Sequence, residues 1–158
     1  MTRLPAILAV LARAACGPAA KHEPAAVSFH GNGVTVTVTR RSASELAVVF
    51  APDRSGFHLY SADLPRGGVD GIGVPTSVAL EGGLRAAGPA VPSRSAVPIT
   101  VEGLAKPVPV YPDGPVTFAV PVDPAGRGAE SVVVSYAACS EAECLPPVIA
   151  QRIGLRAG

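Results

Sequence analysis

The chain has 158 residues, enough for one domain with a sizeable core. Its residues are 48% hydrophobic and 16% charged with a net charge of +1, which excludes charge-driven disorder and leaves no electrostatic basis for binding nucleic acid. With 17 Gly, 17 Pro, no Trp, 4 Phe and 3 Tyr, the chain calls for many strands, many turns and a core filled by Val, Leu and Ile.

Met1-Thr2-Arg3 is followed by an apolar stretch over residues 4–11, interrupted by Pro5, and then by small residues leading to Cys16. This is the outline of a short secretory signal over residues 1–16. It also has the form of a lipoprotein processing site in which Cys16 becomes the lipidated first residue, although Arg13 stands where an aliphatic residue is usual. Three readings stay open: a lipid-anchored Cys16, a plain secretory peptide cut after Ala14 or later, and a mis-assigned start. The first two place the chain outside the cytoplasm, in the periplasm or at the cell surface. No stretch reaches the roughly 18 apolar residues of a transmembrane helix. Residues 17–26 are a tether in which His22 is solvated, and residues 27–158 are the folded domain.

Phe29-His30-Gly31-Asn32-Gly33 offers a turn, hence a hairpin or a change of strand. Residues 34–39 alternate Val and Thr at period two, so one face is buried and the other solvated. Residues 45–50 form the next strand, closed by Ala51-Pro52-Asp53. Residues 57–61 form another, with Phe57 and Leu59 on one face and His58 and Tyr60 on the other. Arg66-Gly67-Gly68-Val69-Asp70-Gly71-Ile72-Gly73 has neither dinucleotide-binding nor Walker spacing, and Pro75 blocks an immediate helix; it is expected to be a flexible turn. Residues 76–80, 96–101 and 116–122 are further short strands. Pro107, Pro109, Pro112 and Pro115 suit an edge or a loop between the last two. With residues 132–136 and 148–155 the count is about nine strands and no helix of normal length, an all-β, immunoglobulin-like sandwich.

Chemistry concentrates in Tyr136-Ala137-Ala138-Cys139-Ser140-Glu141-Ala142-Glu143-Cys144-Leu145-Pro146-Pro147. The two cysteines occupy a hairpin-like connection between β-branched runs, where their Cα atoms can come within the roughly 4.4–6.8 Å that a disulfide requires. Closing so small a loop restrains the unfolded chain by only about 2 kcal/mol, against nearly 5 for a loop of about a hundred residues. Spacing alone leaves two readings open, a redox-active pair and a structural bridge. A zinc site would need two further ligands, and His30 and His58 form no second ligand pair. Copper(I) would need thioether or thiolate clusters, and the one Met is Met1. Nothing marks a Cys–His hydrolase, and His58 is expected to be a strand residue. No metal and no cofactor is therefore expected.

Glu141 and Glu143 lie inside the loop, with no Lys, Arg or His between residues 128 and 151. Like charges disfavour a thiolate, so the pair suits a partner that brings the activated cysteine, for example a thioredoxin-like protein. Cys139 follows strand residues and is expected to be held against the sheet. Cys144 precedes Leu145-Pro146-Pro147, where prolines lack the N–H of a continuing ladder, and is expected to be the more approachable sulfur.

This segment resembles the active-site segment of the amino-terminal domain of the bacterial thiol:disulfide interchange protein DsbD family, in which aromatic-x-x-Cys, a short acidic or polar spacer and Cys-x-Pro-Pro form the motif. Gly56-Phe57-His58-Leu59-Tyr60 is similar to the family's Gly-aromatic-x-Leu-Tyr strand. Gly73-Val74-Pro75-Thr76 and Val110-Tyr111-Pro112-Asp113-Gly114 follow in the family's order, so the resemblance spans roughly residues 26 to 155.

The resemblance implies an immunoglobulin-like fold and a protein-disulfide reductase component. Electrons would arrive from a membrane reductase's thioredoxin-like domain and leave to periplasmic thiol proteins through Cys139 and Cys144, the second cysteine making the intermolecular bond. The family's membrane and thioredoxin-like domains do not follow here, so both partners are expected in trans. In the family a capping loop with an aromatic tip shields the cysteines. The matching stretch, Glu102-Gly103-Leu104-Ala105-Lys106, has no aromatic, and Leu104, Tyr60, Tyr111 and Tyr136 are the candidate shields. The alternative function is a non-catalytic, immunoglobulin-like protein-binding module with a structural disulfide, marked by a reduction potential below about −300 mV.

Overall fold

Val34, Val36 and Val38 of β2 (Val34–Ser42) are buried, and the threonines between them are half-buried, as period-two alternation requires. The computed structural model describes residues 25–123 and 128–155. Cys16, His22 and the expected signal segment lie outside the described residues. Ahead of β2, β1 (Ala26–Gly31) pairs with it antiparallel, from Ala26↔Thr39 to Gly31↔Val34. The hairpin is closed by Asn32 (φ 48°) and Gly33 (φ 72°). Two successive positive φ values are the tight turn that matches strand twist, which Asn-Gly adopts more readily than other pairs.

β3 (Glu45–Pro52) pairs with β2 on one side and with β10 (Val116–Asp123) on the other. Two short strands, β6 (Arg85–Ala86) and β7 (Val91–Pro92), complete this first sheet along β10. The second sheet has the order β13 (Val148–Leu155), β11 (Glu130–Tyr136), β5 (Ser77–Gly82). The third has the order β12 (Ala138–Cys139), β4 (His58–Tyr60), β9 (Val108–Tyr111), β8 (Val97–Ile99). The run from β11 through Ala137 into β12 passes from the second sheet to the third. Every pairing recorded is antiparallel and the described residues contain no helix, which makes the domain an immunoglobulin-like β-sandwich.

The main core lies between the sheets. Val34, Val48, Phe50, Phe118 and Val120 of the first sheet meet Val132, Val134, Tyr136 and Ile153 of the second, with Leu59 and Tyr111 from the third. Each such side chain contributes roughly 1.5–3 kcal/mol relative to exposure. With no Trp, three aromatics form the centre: the Phe50 ring meets Phe118 edge-on at 5.6 Å and Tyr136 at 5.7 Å.

The third sheet is covered on both faces. Leu59, Tyr111 and Ala138 face the main core. Tyr60, Val108, Val110 and Cys139 face a second apolar cluster with Leu64 and Ala137, onto which Val69, Val74, Ile99, Val101 and Leu104 pack. The proline-rich stretch expected as a loop or an edge contains β9, which lies between β4 and β8. Pro109 fits because its carbonyl accepts from Ser61 N (2.9 Å), just beyond the end of β4. Its missing N–H points the same way, past the β4 ladder, and the facing Pro98↔Pro109 pair exchanges no hydrogen bonds with β8.

Candidate functional site

The cysteine hairpin is built by its own backbone. After Tyr136 and Ala138 have entered the core, alternation turns Cys139 to the opposite face of the third sheet. β12 pairs there with β4, Ala138 opposite Leu59 and Cys139 opposite His58. The chain then reverses: Ser140 N donates to Glu143 O (2.8 Å), and the Ser140 hydroxyl accepts from Ala142 N (3.3 Å) and Glu143 N (3.2 Å). Leu145 N donates back to Ala138 O (2.9 Å), so Cys139 and Cys144 face each other across a bridge of the ladder. Their Cα atoms are 4.0 Å apart, closer than the range expected from the sequence because the two residues sit directly opposite each other in the ladder, and their sulfurs are bonded. Pro146 and Pro147 end the pairing, and the hairpin is anchored to the β1–β2 turn. Asn32 Nδ2 donates to Pro147 O (3.4 Å), and Leu145 lies so close to Gly33 that a Cβ there would stand 2.5 Å from Leu145 Cδ1.

The two cysteines differ in access. Cys139 is buried, at 4% exposure, whereas Cys144 is exposed. A groove of about 220 Å³ opens along the disulfide, lined by Tyr60, Ile72, Val74, Cys139, Cys144 and Pro147. The Tyr60 hydroxyl stands 3.2 Å from Cys139 Sγ; a disulfide sulfur carries no hydrogen, so the phenol donates. Burial pushes the Tyr60 pKa up and keeps that proton in place. The His58 ring meets Tyr60 edge-on at 6.1 Å, and burial holds its pKa below the usual 6.5, so it is neutral at neutral pH.

Of the shield candidates, Tyr60 touches the buried sulfur, and Leu104 packs on the cluster that holds it. Tyr111 and Tyr136 stand elsewhere. The Tyr111 ring packs on Phe118 in the main core, and its hydroxyl accepts from Ala62 N (3.1 Å). Tyr136 also belongs to the core and donates to Gly31 O (2.7 Å); burial first, and the Asp53 charge second, push its pKa up to about 12. The other domain histidine, His30, contacts Asp53 at 2.7 Å.

The glycine-rich segment, expected to be a flexible turn, is instead a wall of the groove. Val69 and Ile72 exchange backbone hydrogen bonds at 3.0 and 2.9 Å around Asp70-Gly71, forming a miniature hairpin. Asp70 Oδ2 accepts from Ala105 N (3.1 Å), tying this hairpin to the loop that carries Leu104. Gly73 (φ 93°) lies on the Tyr60 ring, where a Cβ would stand 2.9 Å from two ring carbons. The signal for the hairpin was present: Asp-Gly flanked by two β-branched residues is a strong short-range turn pattern. The fold also supplies a cation that neighbouring sequence lacks. Arg54 pairs with Glu143 at 2.8 Å while its guanidinium lies 4.4 Å over the Phe57 ring.

Fold and site together define an immunoglobulin-like sandwich that presents a cysteine pair at the rim of an apolar groove. Among solved structures the chain is similar to the DsbD N-terminal domain of Neisseria meningitidis, crystallised in the reduced form, at 17% identity and a TM-score of 0.53, over 79% of this chain and 86% of that one. At that identity the likeness concerns the fold. No protein-family profile and no curated protein matches the chain. No helix among the described residues is long and apolar enough to cross a membrane.

Proposed function

We propose that this protein is an extracytoplasmic thiol–disulfide exchange module, a protein-disulfide reductase component that works through Cys139 and Cys144. The observation that carries the reading is the asymmetry of the bridge, one cysteine buried in an apolar cluster and the other exposed at a groove rim. A purely structural bridge needs no exposed sulfur. This one closes a short loop that adds little to stability. Likeness in fold to a DsbD N-terminal domain supports the same reading.

The reacting partner is a thioredoxin-like protein or the thioredoxin-like domain of a membrane thiol reductase. Its thiolate attacks Cys144 Sγ, a mixed disulfide forms, and the electron pair of the broken S–S bond leaves on Cys139 Sγ. A second partner thiol then releases Cys144, and the partner departs as a disulfide with this chain reduced. Run in reverse on a disulfide-bonded client, Cys144 attacks first and Cys139 resolves. Tyr60 and Leu104 shield the pair between encounters. A disulfide persists only in an oxidising compartment, which suits the periplasm or cell surface and a signal at the amino terminus, with Cys16 as a candidate lipid anchor.

Trapping tests the assignment. With Cys139→Ser, the Cys144 thiolate should attack the disulfide of the oxidised thioredoxin-like partner and accumulate as a mixed disulfide, the displaced electron pair staying on the partner's second sulfur, and Cys144→Ser should trap little. Equal trapping by both would reject the division of roles. Trapping by neither, with a bridge below about −300 mV, would make the disulfide structural.

A further inference from the structure

Attack on the exposed sulfur creates a difficulty for the buried one. When the bond breaks at Cys144, negative charge develops on Cys139 Sγ, which sits among Leu64, Val108, Val110 and Ala137. An anion in such surroundings is costly unless it is hydrogen-bonded. Glu141 and Glu143 lie in the same hairpin and oppose it. His58, opposite Cys139 in the ladder, is held neutral by burial. Arg54, which the fold brings to the hairpin, is engaged with Glu143 at the surface.

The Tyr60 hydroxyl is already placed on that sulfur, 3.2 Å from it. Three constraints fix its position. The ring belongs to the same apolar cluster, Gly73 lies against its face, and the Tyr60 carbonyl accepts from both Thr76 Oγ1 (2.7 Å) and Thr76 N (3.3 Å). We propose that Tyr60 is a catalytic hydrogen-bond donor that stabilises the Cys139 thiolate as it leaves, and so makes Cys144 the sulfur at which the bridge opens. The inference rests on the exchange function proposed above. No proton is transferred: the phenol keeps its own, the electron pair of the cleaved bond stays on Cys139 Sγ, and the partner sulfur is joined to Cys144. When Cys139 later attacks the mixed disulfide, the same hydrogen bond holds its thiolate in line.

Tyr60→Phe removes the oxygen and keeps the ring that packs the cluster. Reduction of the oxidised variant by reduced thioredoxin should slow roughly tenfold or more, the scale of one hydrogen bond to a charged group. In the Cys144→Ser background, the midpoint of the pH profile for iodoacetamide alkylation of Cys139 should move up by about one unit on adding Tyr60→Phe, the same tenfold expressed as a titration. A shielding role alone would leave that midpoint in place and would speed alkylation by opening the site. An unmoved midpoint, or an unchanged or faster reduction of the variant, overturns the proposal while leaving the exchange function standing. A wild-type bridge that reduced thioredoxin does not open would overturn the exchange function itself, and the role of Tyr60 with it. The wild-type measurement tells these failures apart.

Discussion

Reducing the Cys139–Cys144 bridge should leave the domain folded and only slightly less stable. The cysteines are separated by 5 positions, and loop-closure entropy for so short a ring amounts to about 2 kcal/mol. The hairpin does not depend on the bond. The Ser140 N–Glu143 O and Leu145 N–Ala138 O hydrogen bonds, the seat of Leu145 on Gly33 and the Asn32–Pro147 contact hold it from both sides. By linkage, folding lowers the reduction potential of the pair by the same free energy, about 45 mV for a two-electron couple. A protein that cycles between dithiol and disulfide has to fold in both states, and a small coupling permits that. Urea unfolding of the oxidised protein and of the protein kept reduced by a phosphine measures the difference directly. A loss above about 4 kcal/mol, the scale of a bridge closing a long loop, or a reduced chain without native circular dichroism, would refute the reasoning.

Two further outcomes follow from the groove. Gly73→Ala puts a Cβ against the Tyr60 ring at a φ of 93°, so it should cost roughly 1–3 kcal/mol in chemical denaturation and speed alkylation of reduced Cys139; wild-type values for both would mean that the segment does not bear on Tyr60. The folded pKa of His58 lies below its unfolded value of 6.5, so the unfolded chain binds the proton more readily. Its contribution is fully present above pH 6.5 and is lost as pH falls through the folded pKa. A His58→Gln chain should lack that acid-side decline, and an identical slope in the variant would assign the decline to other groups.

The sandwich was legible because period-two alternation is a local property. The Val-Thr repeat of β2 and the valine runs of β11 and β13 carry their buried faces in their own residues, and the lack of helical periodicity left one fold class. The disulfide was legible for a similar reason, since a Cys-x₄-Cys loop between two strands brings its own sulfurs together. Exposure of Cys144 followed from the prolines after it, which cannot continue a ladder.

What surrounds the sulfurs was decided only by tertiary structure. Tyr60 is 79 positions from Cys139 along the chain, and they meet because β12 pairs with β4. Leu104 packs into the same cluster, and Arg54, far from the hairpin in sequence, pairs with Glu143. Three of the candidate shields, all tyrosines, looked alike as residue types; strand register sent Tyr111 and Tyr136 to the main core and Tyr60 to the cysteine face. Long-range pairing, not composition, selects which face an alternating strand turns to which neighbour. The sequence by itself therefore determined the sheet and the bridge, whereas the donor, the groove and its glycine-rich wall depended on how the three sheets came together.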